Sequence, residues 1–303
     1  MSNANKHPGV VVGIERSDSA GATVRWAARE AILRDVALTI VPIEPLPAFG
    51  SAARVLATAP NVDELLQWRE DEARRIFSDA MKSIEDDADG GNVPETEINT
   101  DLLYSAHVPT LVDMSVEAQI MVVGCRGQAA QDDRGPHRSV STNLVHLAHC
   151  PVAVIHENDS GSLPSVQLPV LVGIDGSAGS QLATQIAFQE ASWRRVELVA
   201  LHACSDGDAS TMPTVEWSAL QSTARETLEA GLAGWHECYP DVKVRRIVVD
   251  NEPAHHLLNQ SQSAQLVVVG SRGRGGHPGM LLGSVAAGVV KEVGIPVIVA
   301  RYD

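Results

Sequence analysis

An internal repeat constrains the fold of this 303-residue chain more than any other feature. The segment 9–43 matches 169–203 at a constant offset of 160 residues, from GVVVGIERSD against PVLVGIDGSA onward. Two further pairs of segments match at offsets of 146 and 145 residues: 118–127 with 264–273, and 149–157 with 294–302. Self-similarity over this length predicts two copies of one domain. We place the first copy at 8–157 and the second at 169–303, joined by a Ser-, Gly- and Pro-rich linker at 158–168.

Each copy alternates predicted strands with predicted helices. The first two strands and the long polar helix after them are predicted at 9–14, 37–43 and about 62–86 in the first copy, and at 170–174, 196–203 and about 215–239 in the second. A third strand, a short helix, an apolar fourth strand, a glycine-rich loop, a helix and a final strand complete each copy. Apolar strands separated by helices indicate a parallel sheet covered on both faces. The predicted class is α/β, with two open-sheet Rossmann-like domains of five strands and about four helices each.

Composition narrows the classes of partner. The formal net charge of −15 argues against nucleic acid or an anionic membrane as a main partner, because both require clustered Lys and Arg. No apolar run approaches the roughly 20 residues that span a bilayer, and the start, MSNANKHPGV, has no apolar signal region, so we expect a cytoplasmic protein. The four cysteines contain no C-x-x-C pair, and no histidine pair has companion ligands. We therefore expect free thiols and no metal site built from side chains alone.

A glycine-rich loop, GSRGRGGHPGMLLGSV, follows the fourth strand of the second copy. It contains no G-K-[ST] and follows the wrong strand for a dinucleotide-binding G-x-G-x-x-G motif. Gly283 and Ser284 open a helix, and their N–H groups, the hydroxyl and the positive end of the helix dipole favour phosphate. Gly270 and Gly273 let the chain turn where a side chain would collide with a ligand. A glycine-rich turn without a ligand is the alternative.

Two arginines lie within the same loop. Arg272 and Arg274 either add positive charge to a phosphate site or belong to the solvated surface.

The combined pattern resembles the universal stress protein family. It consists of a V-G-I-D-G-S first strand and G-x-x-G, nine residues, then G-[ST], and the tandem arrangement is similar to the family's two-domain mycobacterial members. The resemblance implies five-stranded α/β domains that pair through their last strands. For the nucleotide-binding branch of the family the resemblance also implies bound ATP, and Mg²⁺ is a candidate ion to accompany the nucleotide. The implied contacts in the second copy are Asp175 after strand one, Ala203 at adenine, and Gly270, Arg272, Gly273, Gly283, Ser284 and Val285 at ribose and phosphates.

The first copy departs from this pattern. Its counterparts are Glu15, Gly124, Gly127 and Ser139. Arg138 stands where the third glycine is expected, and its long side chain occupies the approach to phosphate. Asp132 and Asp133 add negative charge beside an anionic ligand. We expect this copy to bind ATP weakly or not at all, although a remodelled site in which Arg138 pairs with a phosphate stays open.

Three classes of function are compatible with the sequence. The leading hypothesis is a nucleotide-dependent regulator of stress response or growth arrest. The second is a slow ATPase or nucleotidyl-transfer enzyme with His277 as acid or base, although the loop lacks the Lys and second carboxylate that phosphoryl transfer calls for. The third is a ligand-independent assembly or chaperone-like module, because the last strands can pair within the chain as a pseudo-dimer, and two chains can form a homodimer.

Overall fold

The computed structural model describes residues 9–15, 19–43, 62–87, 96–101, 107–125, 140–156, 165–204, 214–274 and 280–301. The elements of the first copy are β1 (Val10–Ile14), α1 (Ala20–Arg34), β2 (Leu38–Pro42), α2 (Val62–Asp87), β3 (Ile98–Thr100), α3 (His107–Met114), β4 (Ile120–Gly124), α4 (Val140–Leu147) and β5 (Val152–Ile155). The elements of the second copy are β6 (Val170–Gly173), α5 (Ala178–Arg194), β7 (Leu198–Cys204), α6 (Thr214–Leu232), α7 (Trp235–Cys238), β8 (Val244–Asp250), α8 (Pro253–Ser261), β9 (Leu266–Gly270), α9 (Ser284–Glu292) and β10 (Val297–Ala300). Over these residues no helix combines the length and apolar character needed to cross a membrane.

The two copies share one ten-stranded sheet in the order β3-β2-β1-β4-β5-β10-β9-β6-β7-β8. Within each copy the five strands are parallel. At the centre β5 and β10 pair antiparallel, with Val154 opposite Val297 and Ala153 opposite Ile298. The predicted fold class, two mainly parallel α/β domains, is confirmed. The pairing also places both last strands inside the sheet, so neither is an open edge.

Successive strand residues face two hydrophobic cores, one on each side of the sheet. Val10 and Val12 lie in the core covered by α1, α2, α5 and α6, whereas Val11 lies in the core covered by α3, α4, α8 and α9. All residues of β1, β2 and β5 are buried. This double burial explains why the strands are continuous apolar runs rather than alternating ones.

One predicted helix is interrupted. The single helix expected over about 215–239 ends at Leu232, and the short α7 begins at Trp235. Gly234 separates them with a φ of 80°, a left-handed conformation that stops an α-helix. The break lets the Trp235 ring stack on buried Phe188, with ring centroids 5.9 Å apart.

A buried four-residue cluster of ionisable side chains, formed by Glu30, Arg34, Glu190 and Arg194, joins α1 to α5 between the copies. Arg34 Nη2 lies 2.6 Å from Glu190, and Arg194 Nη2 lies 2.6 Å from Glu30. Each arginine also pairs with the glutamate one turn earlier in its own helix. Both carboxylates are fully buried, so each depends on these pairs for the solvation that water would otherwise supply.

Candidate functional site

The sheet brings the predicted site residues of the second copy to one edge. Strand β6 lies between β9 and β7, and the three strands are parallel. Their carboxyl ends therefore meet where the strand order reverses, which is where ligands bind in open α/β sheets. Asp175 follows β6, Ala203 lies near the end of β7, and Gly270 ends β9.

Asp175 holds the glycine loop against the turn after β6. One carboxylate oxygen accepts hydrogen bonds from the Ser177 N–H at 2.9 Å and the Ser177 hydroxyl at 2.6 Å. The other accepts from the Arg274 N–H at 3.0 Å. Burial alone would raise the pKa of Asp175, but the hydrogen bonds from Ser177 and Arg274 outweigh it and hold that pKa below its usual value. The ionised carboxylate thus ties together segments almost one hundred residues apart.

Backbone packs on backbone beneath the loop. A Cβ atom added to Gly270 would lie 2.6 Å from the Gly179 carbonyl carbon and 3.0 Å from the Ser180 nitrogen. A Cβ on Gly179 would collide with the Arg272 carbonyl oxygen, and one on Gly273 would collide with the Asp175 carboxylate. Gly270 and Gly179 are required by the fold because no side chain fits against the facing backbone, and Gly273 is required by the hydrogen-bonded carboxylate of Asp175.

Gly283 is in a different situation. It is the N-cap of α9 with a φ of −73°, and its N–H donates to the Ser271 carbonyl at 2.8 Å. A Cβ at this position would lie 3.5 Å from its nearest neighbour, the Ser271 carbonyl oxygen, which is an ordinary contact. Ser284 beside it is exposed, and Val285 packs against the core. No side chain caps the N-terminus of α9 from its N-cap position, so the first turn directs backbone N–H groups towards the site.

The two loop arginines occupy different places. The Arg272 carbonyl accepts a hydrogen bond from the Ser177 hydroxyl at 3.4 Å, so this residue is part of the loop's anchoring. The Arg274 guanidinium lies over Gly176, where an added Cβ would be 2.5 Å from Nη2. Arg274 is exposed at the edge of the site. Its guanidinium is therefore accessible beside the turn that follows β6.

Sequence reasoning missed the support beneath the predicted contacts. His202 Nδ1 is 2.6 Å from the Ile174 carbonyl, a buried hydrogen bond in which the ring nitrogen donates and which fixes β7 to the residue before Asp175. Ser177 and Gly179 connect the same turn to the loop. Their signal was present as the small residues of GSAGS, directly after the first strand of this copy.

The equivalent site of the first copy is described only in part. Gly127 and Ser139 lie outside the described residues, as do Arg138, Asp132, Asp133 and, in the second copy, His277. Glu15 and Gly124 line a cavity of about 30 Å³ at the end of β1 and β4. A Cβ on Gly124 would meet the hydroxyl oxygens of Thr23 at 3.0 Å and Ser19 at 3.4 Å rather than backbone. Side chains here fill the place that glycine backbone takes in the second copy.

The comparison with protein families decides the family. The model of the universal stress protein family matches residues 9–156 and 168–301. The chain belongs to the universal stress protein family. It carries two of the family's domains in tandem, which confirms the resemblance found in the sequence and gives the chain a role in the stress response.

Full-length relatives support the assignment. A universal stress protein of Mycobacterium tuberculosis strain H37Rv is 47% identical over 304 residues, covering 99% of each chain. A universal stress protein of Mycolicibacterium smegmatis is 44% identical over 296 residues, covering 97% of each chain. The crystal structure of a universal stress protein from Archaeoglobus fulgidus matches with a TM-score of 0.62 and 18% identity, covering 98% of this chain and 97% of that one. At that identity the match shows the shared fold.

Proposed function

We propose that the second copy of this universal stress protein binds ATP, and that its occupancy regulates a stress response or growth arrest. The observation that carries the proposal is the contrast among the motif glycines. Gly270 and Gly273 are required by contacts within the chain, whereas Gly283 has room for a side chain and an ordinary φ. Helix capping does not explain a glycine at 283 either, because Ser, Asp or Asn caps better. A phosphate approaching the N-terminus of α9 explains it.

The described residues supply the expected parts of a nucleotide site. The first turn of α9 offers N–H groups to the phosphates, with the Ser284 hydroxyl exposed beside them. Arg274 is the cation at the site edge, and Ala203, half-buried at the end of β7, is the proposed neighbour of adenine. The oxygens of Asp175 already accept three hydrogen bonds, so Mg²⁺ would arrive with the phosphates and water rather than in a cage of side chains.

The same hydrogen bonds favour a regulator over an enzyme. Phosphoryl transfer needs a carboxylate that is available to hold metal or to position a nucleophile. Three of the roughly four lone-pair sites of the Asp175 carboxylate already accept hydrogen bonds, two from Ser177 and one from the Arg274 N–H. Retention or unchanged release of ATP is therefore the proposed behaviour.

We also propose a pseudo-dimer within the chain. The antiparallel pairing of β5 with β10 and the buried four-residue cluster support it. The outer strands of the sheet are β3, with three residues, and β8, which carries exposed Arg245 and Arg246. Short or charged edge strands discourage further strand pairing, so a homodimer of chains would use another surface.

The first copy is proposed to bind weakly or not at all. Ser19 and Thr23 present hydroxyl side chains to Gly124, where the second copy has backbone against Gly270. The wall of the site that contacts α1 therefore differs from that of the second copy, independently of the Arg138 substitution in its loop.

Nucleotide released from denatured, freshly purified protein, followed by calorimetric titration with Mg-ATP, tests the proposal. We expect about one ATP per chain and, for Gly283→Ala, at least about tenfold weaker binding with a free energy of unfolding within about 1 kcal/mol of wild type. Gly288→Ala is the matched control on the same helix, because its Cβ would only contact the Ala254 Cβ at 3.4 Å. It should bind like wild type.

The outcomes separate the hypotheses. About two ATP molecules per chain would contradict the asymmetry between the copies. No binding, even with excess Mg-ATP, would reject the nucleotide site and favour the assembly module. Many turnovers per chain would favour the enzyme.

A further inference from the structure

Arg301 connects the glycine loop of the second copy to the last helix of the first. It follows β10, whose final carbonyl, that of Ala300, accepts a hydrogen bond from the Ser271 N–H in the loop at 2.9 Å. Its Nε donates to the Ala148 carbonyl and its Nη1 to the Val145 carbonyl, both at 2.6 Å. These carbonyls lie at the C-terminal end of α4, where carbonyl groups have no N–H partner within the helix. A cation at this end also interacts favourably with the helix dipole.

The same guanidinium also reaches the loop. Arg301 Nη1 is 3.5 Å from the Leu281 carbonyl, two residues before the α9 N-cap Gly283. Nη1 carries two N–H groups, so it bonds a close acceptor in the first copy and lies near a more distant acceptor in the second. Because the guanidinium is one rigid plane, a ligand at the N-terminus of α9 that moves Leu281 changes the orientation of the same group that bonds the Val145 and Ala148 carbonyls.

The corresponding contact from the last strand of the first copy to the last helix of the second is weaker. His156 is the repeat counterpart of Arg301, and it forms a hydrogen bond with the backbone of Val290, the counterpart of Val145. Burial lowers the pKa of His156 to about 4 against the effect of that bond, so the ring is neutral near pH 7. Its Nε2 is buried without a hydrogen-bond partner in the described part of the chain. The first copy therefore contributes one hydrogen bond from a neutral ring, whereas the second copy contributes two close hydrogen bonds from the charged guanidinium of Arg301.

Helix α4 leads from Arg301 to the site of the first copy. Its first residues, Val140 and Ser141, line the small cavity beside Glu15 and Gly124. Its other end is the turn held by Arg301. The helix therefore touches both the first copy's site and the residue that contacts the second copy's loop.

We propose that Arg301 is a positioning residue that couples the glycine loop of the second copy to α4 of the first, so that ligand occupancy in one copy alters the stability of the other. The proposal rests on the proposed nucleotide site for its ligand. By linkage, a change in the α4 turn alters nucleotide affinity by the same factor in return. The first copy then acts as the reader of the second rather than as a second sensor.

Hydrogen–deuterium exchange of the full chain, with and without Mg-ATP, tests the coupling. In nucleotide-free protein, Arg301→Met should raise amide exchange by about tenfold or more both in the α4 turn near residue 148 and in the loop at 280–283, because both lose a shared donor. In wild type, Mg-ATP should change exchange in the α4 turn. In Arg301→Met that change should vanish while ATP still binds.

Two variants control for a merely local defect. Arg301→Lys keeps the charge but lacks the fork that reaches two carbonyls, so it should restore only part of the response. Arg245→Met removes an exposed cation on β8 that pairs with Glu197, and it should leave amide exchange in both segments unchanged. Thermal unfolding of each variant reports whether it folds.

Each failure has its own signature. If Arg301→Met alters exchange in only one of the two segments, the coupling is wrong whatever the ligand. If wild type binds ATP and the α4 turn does not respond, the coupling is wrong and the nucleotide site stands. If wild type binds no nucleotide while both segments respond to Arg301→Met, the proposed function fails and the structural link stands.

Discussion

Replacing the same glycine in both copies gives a direct test of the backbone packing beneath the loop. In Gly270→Ala the new Cβ starts 2.6 Å from the Gly179 carbonyl carbon, and reaching an ordinary contact near 3.4 Å requires the segments to separate by roughly 0.8 Å. Overpacking of this kind costs about 1–3 kcal/mol. In Gly124→Ala the neighbours are the hydroxyl oxygens of Thr23 at 3.0 Å and Ser19 at 3.4 Å, so an ordinary contact requires a shift of only about 0.4 Å. We expect that change to cost less than about 1 kcal/mol.

Urea unfolding followed by circular dichroism gives the two free-energy differences. Both substitutions remove similar backbone entropy from the unfolded chain, so their difference isolates the steric cost in the fold. Mg-ATP titration should show weaker binding for Gly270→Ala and unchanged binding for Gly124→Ala. Equal destabilisation of the two variants, or a stable Gly270→Ala that binds normally, would refute the backbone-contact argument.

Three further predictions concern buried ionisable groups. Arg194→Met should destabilise the chain by about 3–5 kcal/mol in denaturant unfolding, because the buried Glu30 carboxylate would lose the guanidinium 2.6 Å from it, and a loss below about 1 kcal/mol would contradict the cluster. Burial, reinforced by the Glu30 carboxylate against the pull of Arg194, raises the pKa of Glu190 to about 8. The folded chain then holds this proton above the unfolded value of 4.5, so stability should fall between about pH 5 and 8, with a slope approaching about 1.4 kcal/mol per pH unit. Denaturant unfolding at several pH values measures this pH dependence of stability, and Glu190→Gln should flatten its slope. An unchanged slope in that variant would show that Glu190 is not the titrating group. Burial raises the pKa of Cys150 to about 12, so mass spectrometry after iodoacetamide treatment at pH 8 should find exposed Cys238 modified well before Cys150, and the reverse order would contradict the burial.

The repeat and the apolar runs predicted the fold because both are properties of the backbone pattern. Continuous apolar strands have one compatible environment, a sheet covered on both faces, and the structure places β1 and β9 there. The break at Gly234 was not predicted, because an isolated glycine is compatible with a helix interior and the outcome depends on the stacking of Trp235 on Phe188. Local pattern does not contain that tertiary contact.

Charged contacts between the copies were beyond sequence reasoning for a similar reason. Glu30 and Arg34 have the spacing of an exposed pair on a helix surface, and only the pairing of α1 with α5 buries them. A signal was present, because Glu190 and Arg194 repeat them at the same offset of 160. Charged residues retained in both copies at positions that face each other are a reason to suspect a shared interface.

The two copies share a fold, and the proposed difference between their sites has a structural counterpart. The glycine at the end of the fourth strand is present in both copies, as Gly124 and Gly270, so the sheet alone does not distinguish them. What differs is the facing turn, where Gly179 allows backbone contact and Ser19 presents a hydroxyl. Since a closer turn also brings Asp175 within reach of the loop, the facing glycine affects the geometry of the whole site. The contrast between the facing turns supports the proposed site in the second copy alone, and the difference between the copies then lies in the first turn as well as in the loop.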